Sequence, residues 1–226
     1  VNAAEMNTEF LSLYDMSAGD SAPPLTDVDK SVYLNQAQAE LVEHYFKGAG
    51  KNEKGLSALS ELQTFDNITT FTTSTWHPNA QLATLPANCK YIETEECSLS
   101  TTDCNNEAVS VRVPVDEISP NEYTANIGNP LKKPYLTSED GLVWRLSLES
   151  NQVELVTEGT AVTAYHIGYV KNFARINTDP ASPVDCELSP SVHEEIVRRA
   201  VRIARGITSP GQYPVSVGEQ QMITTT

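Results

Sequence analysis

LTDVDKSVYLNQAQAELVEHYFK, residues 25–47, decides the first reading of the fold. Thr26 is a good helix N-cap, and Asp29 three residues on makes a shortened capping box. Asp27 and Asp29 put negative charge in the first turn, where the helix dipole favours it. Leu34, Ala37, Leu41 and Tyr45 recur at helical spacing, and Val42 and Phe46 widen the stripe. Lys47 closes the last turn, and Gly48 or Gly50 can stop it. At ~1.5 Å per residue the expectation is a rod of about 30 Å. Its polar face holds Gln, Asn, Glu and one His, so it reads as a scaffold or contact helix.

Such a rod needs a partner for its stripe. CELSPSVHEEIVRRAVRIARG, residues 186–206, supplies a second strong helix. Ser189 is the expected N-cap and Pro190 the first helical residue. Val192, Ile196, Ala200 and Ile203 form a stripe. Glu194 and Glu195 precede Arg198, Arg199, Arg202 and Arg205, the polarity the dipole favours, with Glu194/Arg198 and Glu195/Arg199 as i,i+4 pairs. Gly206 is the expected stop.

Outward from these two helices, residues 2–16 read as a first helix, and Leu56, Leu59, Leu62 and Phe65 mark a short third one. The character changes at Asp66. DNITTFTTSTW (66–76) favours extended structure. Residues 89–107 read as loop or edge strand, and AVSVRVPV (108–115) as a strand with Pro114 at an edge. Residues 116–134 read as a long loop. Leu142, Trp144 and Leu146, then Val153 and Leu155, then residues 161–170, read as an antiparallel meander. The expected fold is therefore α+β: a helical bundle built from the N- and C-terminal helices, with an inserted antiparallel β domain. The expected divisions are 1–65, 66–185, 186–206 and an extended or disordered tail, 207–226.

Composition narrows function. The 226 residues are 39% hydrophobic and 20% charged, with a formal charge of −15. Residues 1–110 carry 16 acids and 5 bases, net −11; residues 111–226 carry 14 acids and 10 bases, net −4. Such a surface repels phosphate backbones. There is no run of 18 apolar residues and no signal-peptide pattern, so neither membrane insertion nor secretion is expected. The spacings of Cys89, Cys97, Cys104 and Cys186 match no zinc pattern; if any pair forms a bridge it is Cys97 with Cys104. His44, His77, His166 and His193 show no metal-type spacing, and no nucleophile elbow, P-loop or dinucleotide fingerprint occurs. Glu93, Glu95 and Glu96 read as a solvated acidic loop, with a cation site as the alternative. A non-enzyme without cofactor or metal is expected.

The helix NAAEMNTEFLSLYDM (2–16), the Pro-rich link and residues 25–48, together with the closing helix 186–206, resemble ring or tail-adaptor proteins of the crAss-like phages. Ser189 before Pro190 departs from their closing-helix pattern. The resemblance implies a virion structural protein at the head–tail junction, assembled in the host cytoplasm. It implies rings, usually dodecamers, bound to the portal and to other ring or tail proteins, with double-stranded DNA passing through the lumen without sequence-specific binding. Twelve copies at −15 give −180, an acidic lining that would keep DNA sliding. Arg198, Arg199, Arg202 and Arg205 are the candidates for pairing between subunits, and Leu34, Leu41, Tyr45 and Ile196 for the core of the helical bundle. The rival reading is a binding module anchored to the virion, whose β domain recognises glycans through Trp76, Tyr123, Tyr135 and Trp144.

Overall fold

A computed structural model describes residues 2–18, 23–47, 53–102, 105, 107–137, 140–149 and 151–208. Its helices are α1 (Ala3–Ala18), α2 (Asp27–Lys47), α3 (Glu53–Leu59), α4 (Pro120–Asn126) and α5 (His193–Thr208). Its strands are β1 (Gln63–Ile68), β2 (Phe71–Thr73), β3 (Ala80–Thr84), β4 (Cys89–Thr102), β5 (Ala108–Glu117), β6 (Tyr135–Leu136), β7 (Gly141–Ser147), β8 (Gln152–Val156) and β9 (Val162–Lys171). The chain divides into two compact units, Val1–Leu62 with Phe173–Thr226, and Gln63–Asn172.

In the first unit, the starts of α1 and α2 are fixed by reciprocal side-chain bonds. Asn2 Oδ1 accepts from Glu5 N at 2.8 Å while Asn2 N donates to Glu5 Oε2 at 2.9 Å. Thr26 and Asp29 repeat the device at the start of α2, at 3.0 and 3.2 Å. Met6, Phe10 and Tyr14 of α1 and Leu34, Ala37, Leu41, Val42 and Tyr45 of α2 are buried. Their partner is α5, through Ile196, Val197, Ala200, Val201 and Ala204. The irregular segment before α5 is stitched to α2: Asn35 takes Ile176 N and gives to Ile176 O, both at 2.8 Å.

The second unit is a curled sheet of nine strands in the order β1-β9-β4-β5-β7-β8-β3-β2, with β6 on β7. Its two end strands, β1 and β2, are joined by Thr69 and Thr70 alone, which span at most about 10 Å. The sheet must therefore roll until its ends approach. Register shifts between β4 and β9, at Cys89/Tyr91, Ile92/Thr94 and Ser98/Leu99, supply the curl. β5 turns the other corner. Its first part pairs antiparallel with β4 as far as Pro114, and from Val115 it pairs parallel with β7. Inside lie Cys97, Leu99, Val113, Val143, Leu155, Tyr165 and Ile167. A smaller core forms where Tyr123 of α4 packs with Trp144, Leu146, Val156 and Ala80.

This corrects the expected architecture. The fold is α+β, but it is not a helical bundle carrying an antiparallel insert. The helices are few; α1 and α2 each lie on α5 and make little contact with one another, so no bundle closes. The sheet is mixed, because β5 and β7 run parallel. The meander is cut to β7 and β8: after the turn at Gly159 (φ 98°) the chain crosses to place β9 between β1 and β4. Residues 89–102, expected as loop or edge, form a central strand. Pro114 pairs with Glu96 of β4, one residue before β5 takes β7 as its second partner. Phe65, expected on a helix, lies in β1. The 116–134 loop contains α4, opened by Ser119 and Glu122 in a capping box. Ser189 makes no cap bond; a 3-10 turn, Pro190–Val192, precedes α5, and α5 runs past Gly206. Most of the expected tail lies outside the described residues.

Candidate functional site

The arginine face of α5 follows directly from its sequence. A 3.6-residue period puts Ile196, Ala200 and Ala204 inward and turns Arg198 and Arg202 outward. Arg198 pairs with Glu194, both well exposed. Arg199 is drawn inward, 3.1 Å from Glu195, whose other oxygen accepts from Tyr45 Oη at 3.0 Å. Burial, and then the Glu195 charge, push the Tyr45 hydroxyl up to about 12. Arg202 is exposed and has no ion-pair partner among the described residues, and Arg205 is half-buried. The helix thus presents one anchored cation, one paired cation and one open cation along a single side. Leu34, Leu41, Tyr45 and Ile196 are covered within their own unit, none more than 6% exposed.

The second unit holds three polar clusters. At the corner between β5 and β7, Arg145 reaches Glu95 on β4 at 2.8 Å, Glu117 on β5 at 3.0 Å and Ser147 at 2.7 Å. Tyr165 on β9 donates to Glu95 at 2.6 Å. The guanidinium ties β7 to β4 and β5, and Tyr165 adds β9 through Glu95. Burial raises the Glu95 carboxyl above its usual range, against the pull of the Tyr165 hydroxyl and of Arg145. The clustered glutamates 93, 95 and 96 are therefore not one solvated loop; they lie on β4, with Glu95 turned into this network.

The other two clusters contain Ser and His, so their chemistry must be weighed. Glu154, fully buried on β8, accepts from Ser74 Oγ and lies 2.7 Å from His77 Nδ1. A nucleophile needs its base against it and the carboxylate beyond the base; here the carboxylate sits in the middle, which makes a clamp on the 74–77 loop. Ser98 Oγ lies 3.0 Å from His166 Nε2, yet no carboxylate orients the other ring nitrogen among the described residues. Neither cluster has the geometry of acyl-transfer catalysis. Among the described residues no group of His, Cys, Asp and Glu is arranged to hold a metal ion, and no helix is long and apolar enough to cross a membrane.

The aromatic platform expected of a glycan binder is not assembled. Tyr123 and Trp144 meet edge-to-face in the small core, their centroids 6.2 Å apart. Trp76 and Tyr135 are exposed. Cys97 is a buried free thiol, raised by burial; Cys104 lies outside the described residues. Of the exposed apolar side chains in the second unit, Trp76 is one of the surface aromatics singled out from sequence, whereas the exposure of Phe65 and Leu131 escaped the sequence reading. Leu131 has no companion at the strand or helix period, and Phe65 continues the spacing of Leu59 and Leu62, so neither gives a local signal of exposure.

Cross-strand ion pairs, an arginine edge and projecting apolar side chains are features shared with proteins that assemble through their surfaces. The chain belongs to the family described as phage tail ring protein 3/4, whose model matches residues 1–213. It is also 29% identical to "Ring protein 4/5" of Bacteroides phage crAss001, over 91% of this chain and 92% of that protein. Membership makes it a structural ring protein of the phage virion, the reading already suggested by the helices 2–16, 25–47 and 186–206.

Proposed function

We propose that this chain is the subunit of one ring in the phage head–tail connector, with the portal on one side and further ring or tail proteins on the other. The ring closes with about twelve copies, and double-stranded DNA passes through its lumen during packaging and ejection. The match to a tail ring family across residues 1–213 carries this reading.

The charge distribution supports it. The first unit carries 16 acids and 9 bases, net −7, and the second 14 acids and 6 bases, net −8, so neither offers DNA a cationic bed. A lumen built from such chains repels the phosphate backbone and lets the genome slide. The outward arginines of α5 then face acidic surface on a neighbouring subunit. Replacing Arg198, Arg199, Arg202 and Arg205 together with Ala weakens ring assembly or stacking, and added salt weakens it in the wild type. Assembly unchanged by both would remove the arginines from the contact.

The test of placement is imaging of the head–tail junction of the intact virion at side-chain resolution. The proposal expects this chain as a ring around the DNA axis with acids lining the channel. A lumen lined by Lys and Arg, or the chain found in fibres away from the axis, would overturn it.

A further inference from the structure

Three apolar side chains of the Gln63–Asn172 unit stand more than three-quarters exposed: Phe65 at 79%, Trp76 at 77% and Leu131 at 93%. Scattered exposed apolar residues are ordinary. These are distinguished by how they are held.

Trp76 lies in the loop between β2 and β3, and that loop is clamped from beneath. Ser74 and His77 both bond the buried Glu154, and Trp76 N donates to Ser74 Oγ at 3.1 Å. The His77 ring rests 4.1 Å from that of Tyr123 on α4. Asn79, at φ 61°, accepts from Thr157 N at 3.1 Å. A buried carboxylate costs several kcal/mol unless well bonded; here its bonds go to the loop that presents the indole. Leu131 stands on the loop after α4, where Lys133 pairs with Glu158, in the same turn that holds Asn79. The two loops thus meet at the 157–158 turn, so Trp76 and Leu131 project from neighbouring loops, with exposed Lys132 next to Leu131 in the chain; these three side chains are the knob.

Phe65 belongs to another place. It lies opposite Gly168 on β9 and covers it: a Cβ there would come within 2.8 Å of the Phe65 ring. It walls an open cleft of about 830 Å³ whose lining includes Asp66, Thr94, Glu95, Glu96, Arg112 and His166. Arg112, 3.6 Å from Glu96, offsets that acid, Arg145 offsets Glu95, and Asp66 remains without an ion-pair partner among the described residues. No residue of the 74–79 or 131–133 loops is among those that line the cleft.

An aromatic–aliphatic knob with a lysine, and an aromatic-walled cleft with an unbalanced aspartate, occupy different parts of one folded unit. Complementary surfaces at different places on a subunit make heterologous, head-to-tail contacts, the kind that close rings. We infer that the Trp76–Leu131 knob of one copy docks in the Phe65 cleft of the next copy, with Lys132 brought to Asp66. The inference rests on the ring reading for the existence of a neighbour and names the contact that joins it.

The test uses the full chain with Cys89 and Cys104 replaced by serine. Lys132→Cys and Asn67→Cys are introduced in separate preparations, which keeps Trp76 and Phe65 in place, then mixed and mildly oxidised. The expected product is a disulfide-linked dimer in the mixture and none in either preparation alone. A Lys132→Cys dimer formed by itself, or no mixed product, overturns the contact. Without engineered thiols, Trp76→Ala and Phe65→Ala should each raise the dissociation constant between copies about thirty-fold or more, as truncation of an aromatic anchor does. Combining them should add little, because both remove one contact. Both should leave the urea midpoint of the monomer unchanged. A wild-type chain that assembles alongside variants assembling equally well refutes the knob and cleft but leaves the ring; a wild-type chain that never assembles refutes both.

Discussion

Replacing Arg145 with Met tests the physical account of the curled sheet. The Arg145 side chain is 7% exposed and its partner Glu95 13%. At 2.8 Å and an effective dielectric constant near 20, their attraction is about 6 kcal/mol. Desolvation of both groups offsets much of that, so the pair adds little net stability over apolar packing. Removing one partner is different, because Glu95 is then stranded. The expected loss is ~3–5 kcal/mol, a large part of the ~5–15 kcal/mol that holds a domain together. In urea this lowers the midpoint by roughly 2 M. Fluorescence reports it, since Trp144 is buried beside Arg145 while Trp76 is already exposed. Two controls fix the cause. Glu95→Met combined with Arg145→Met should recover most of the loss, because no charge is then left buried. Acidification should narrow the deficit of the single variant. Burial already raises the Glu95 carboxyl; a carboxyl with a raised folded value contributes stability at low pH that is lost as pH rises through that value. A single-variant loss under ~1 kcal/mol, or a double variant as weak as the sum of the singles, would refute the reasoning.

Other substitutions separate further elements. Gly168→Ala places a Cβ 2.5 Å from Thr94 Oγ1 and 2.8 Å from the Phe65 ring, and should cost ~1–3 kcal/mol by thermal denaturation. Gln38 is fully buried on α2 with neither carboxamide atom bonded among the described residues; Gln38→Met should raise the melting temperature rather than lower it. Tyr45→Phe loses the bond to Glu195, about 1 kcal/mol at neutral pH. The folded hydroxyl is raised from 10 to about 12, so its contribution is full below pH 10 and lost between pH 10 and 12. The gap between wild type and Tyr45→Phe should therefore close across that window in denaturation series.

The parts that could be read from sequence are those whose signals are local. The capping pair Thr26–Asp29 and the stripe Leu34–Tyr45 produce α2 as expected, because cap and periodicity act within a few residues. The arginine edge of α5 was visible for the same reason. What was missed depends on distant partners. β4 reads as polar loop because Glu95, an inward residue, is charged; only Arg145, fifty residues on, makes that position a core position. β9 follows β8 in the chain but pairs with β4 and β1, a choice set by closure of the sheet. Phe65 continues the spacing of Leu59 and Leu62 and so joins a helical stripe on paper, although it faces solvent from a strand. One missed element was locally encoded: Ser119-Pro120-Asn121-Glu122 is a capping box with proline at the first helical position, and it opens α4.

The most direct test of the ring account is the native mass of the purified full chain, alone and with portal protein. The account predicts a closed oligomer, near 296 kDa if twelve copies of 24.7 kDa assemble, forming on its own or on the portal and dissociating when Trp76 or the α5 arginines are replaced. A species of 24.7 kDa at every concentration, indifferent to the portal, would contradict it.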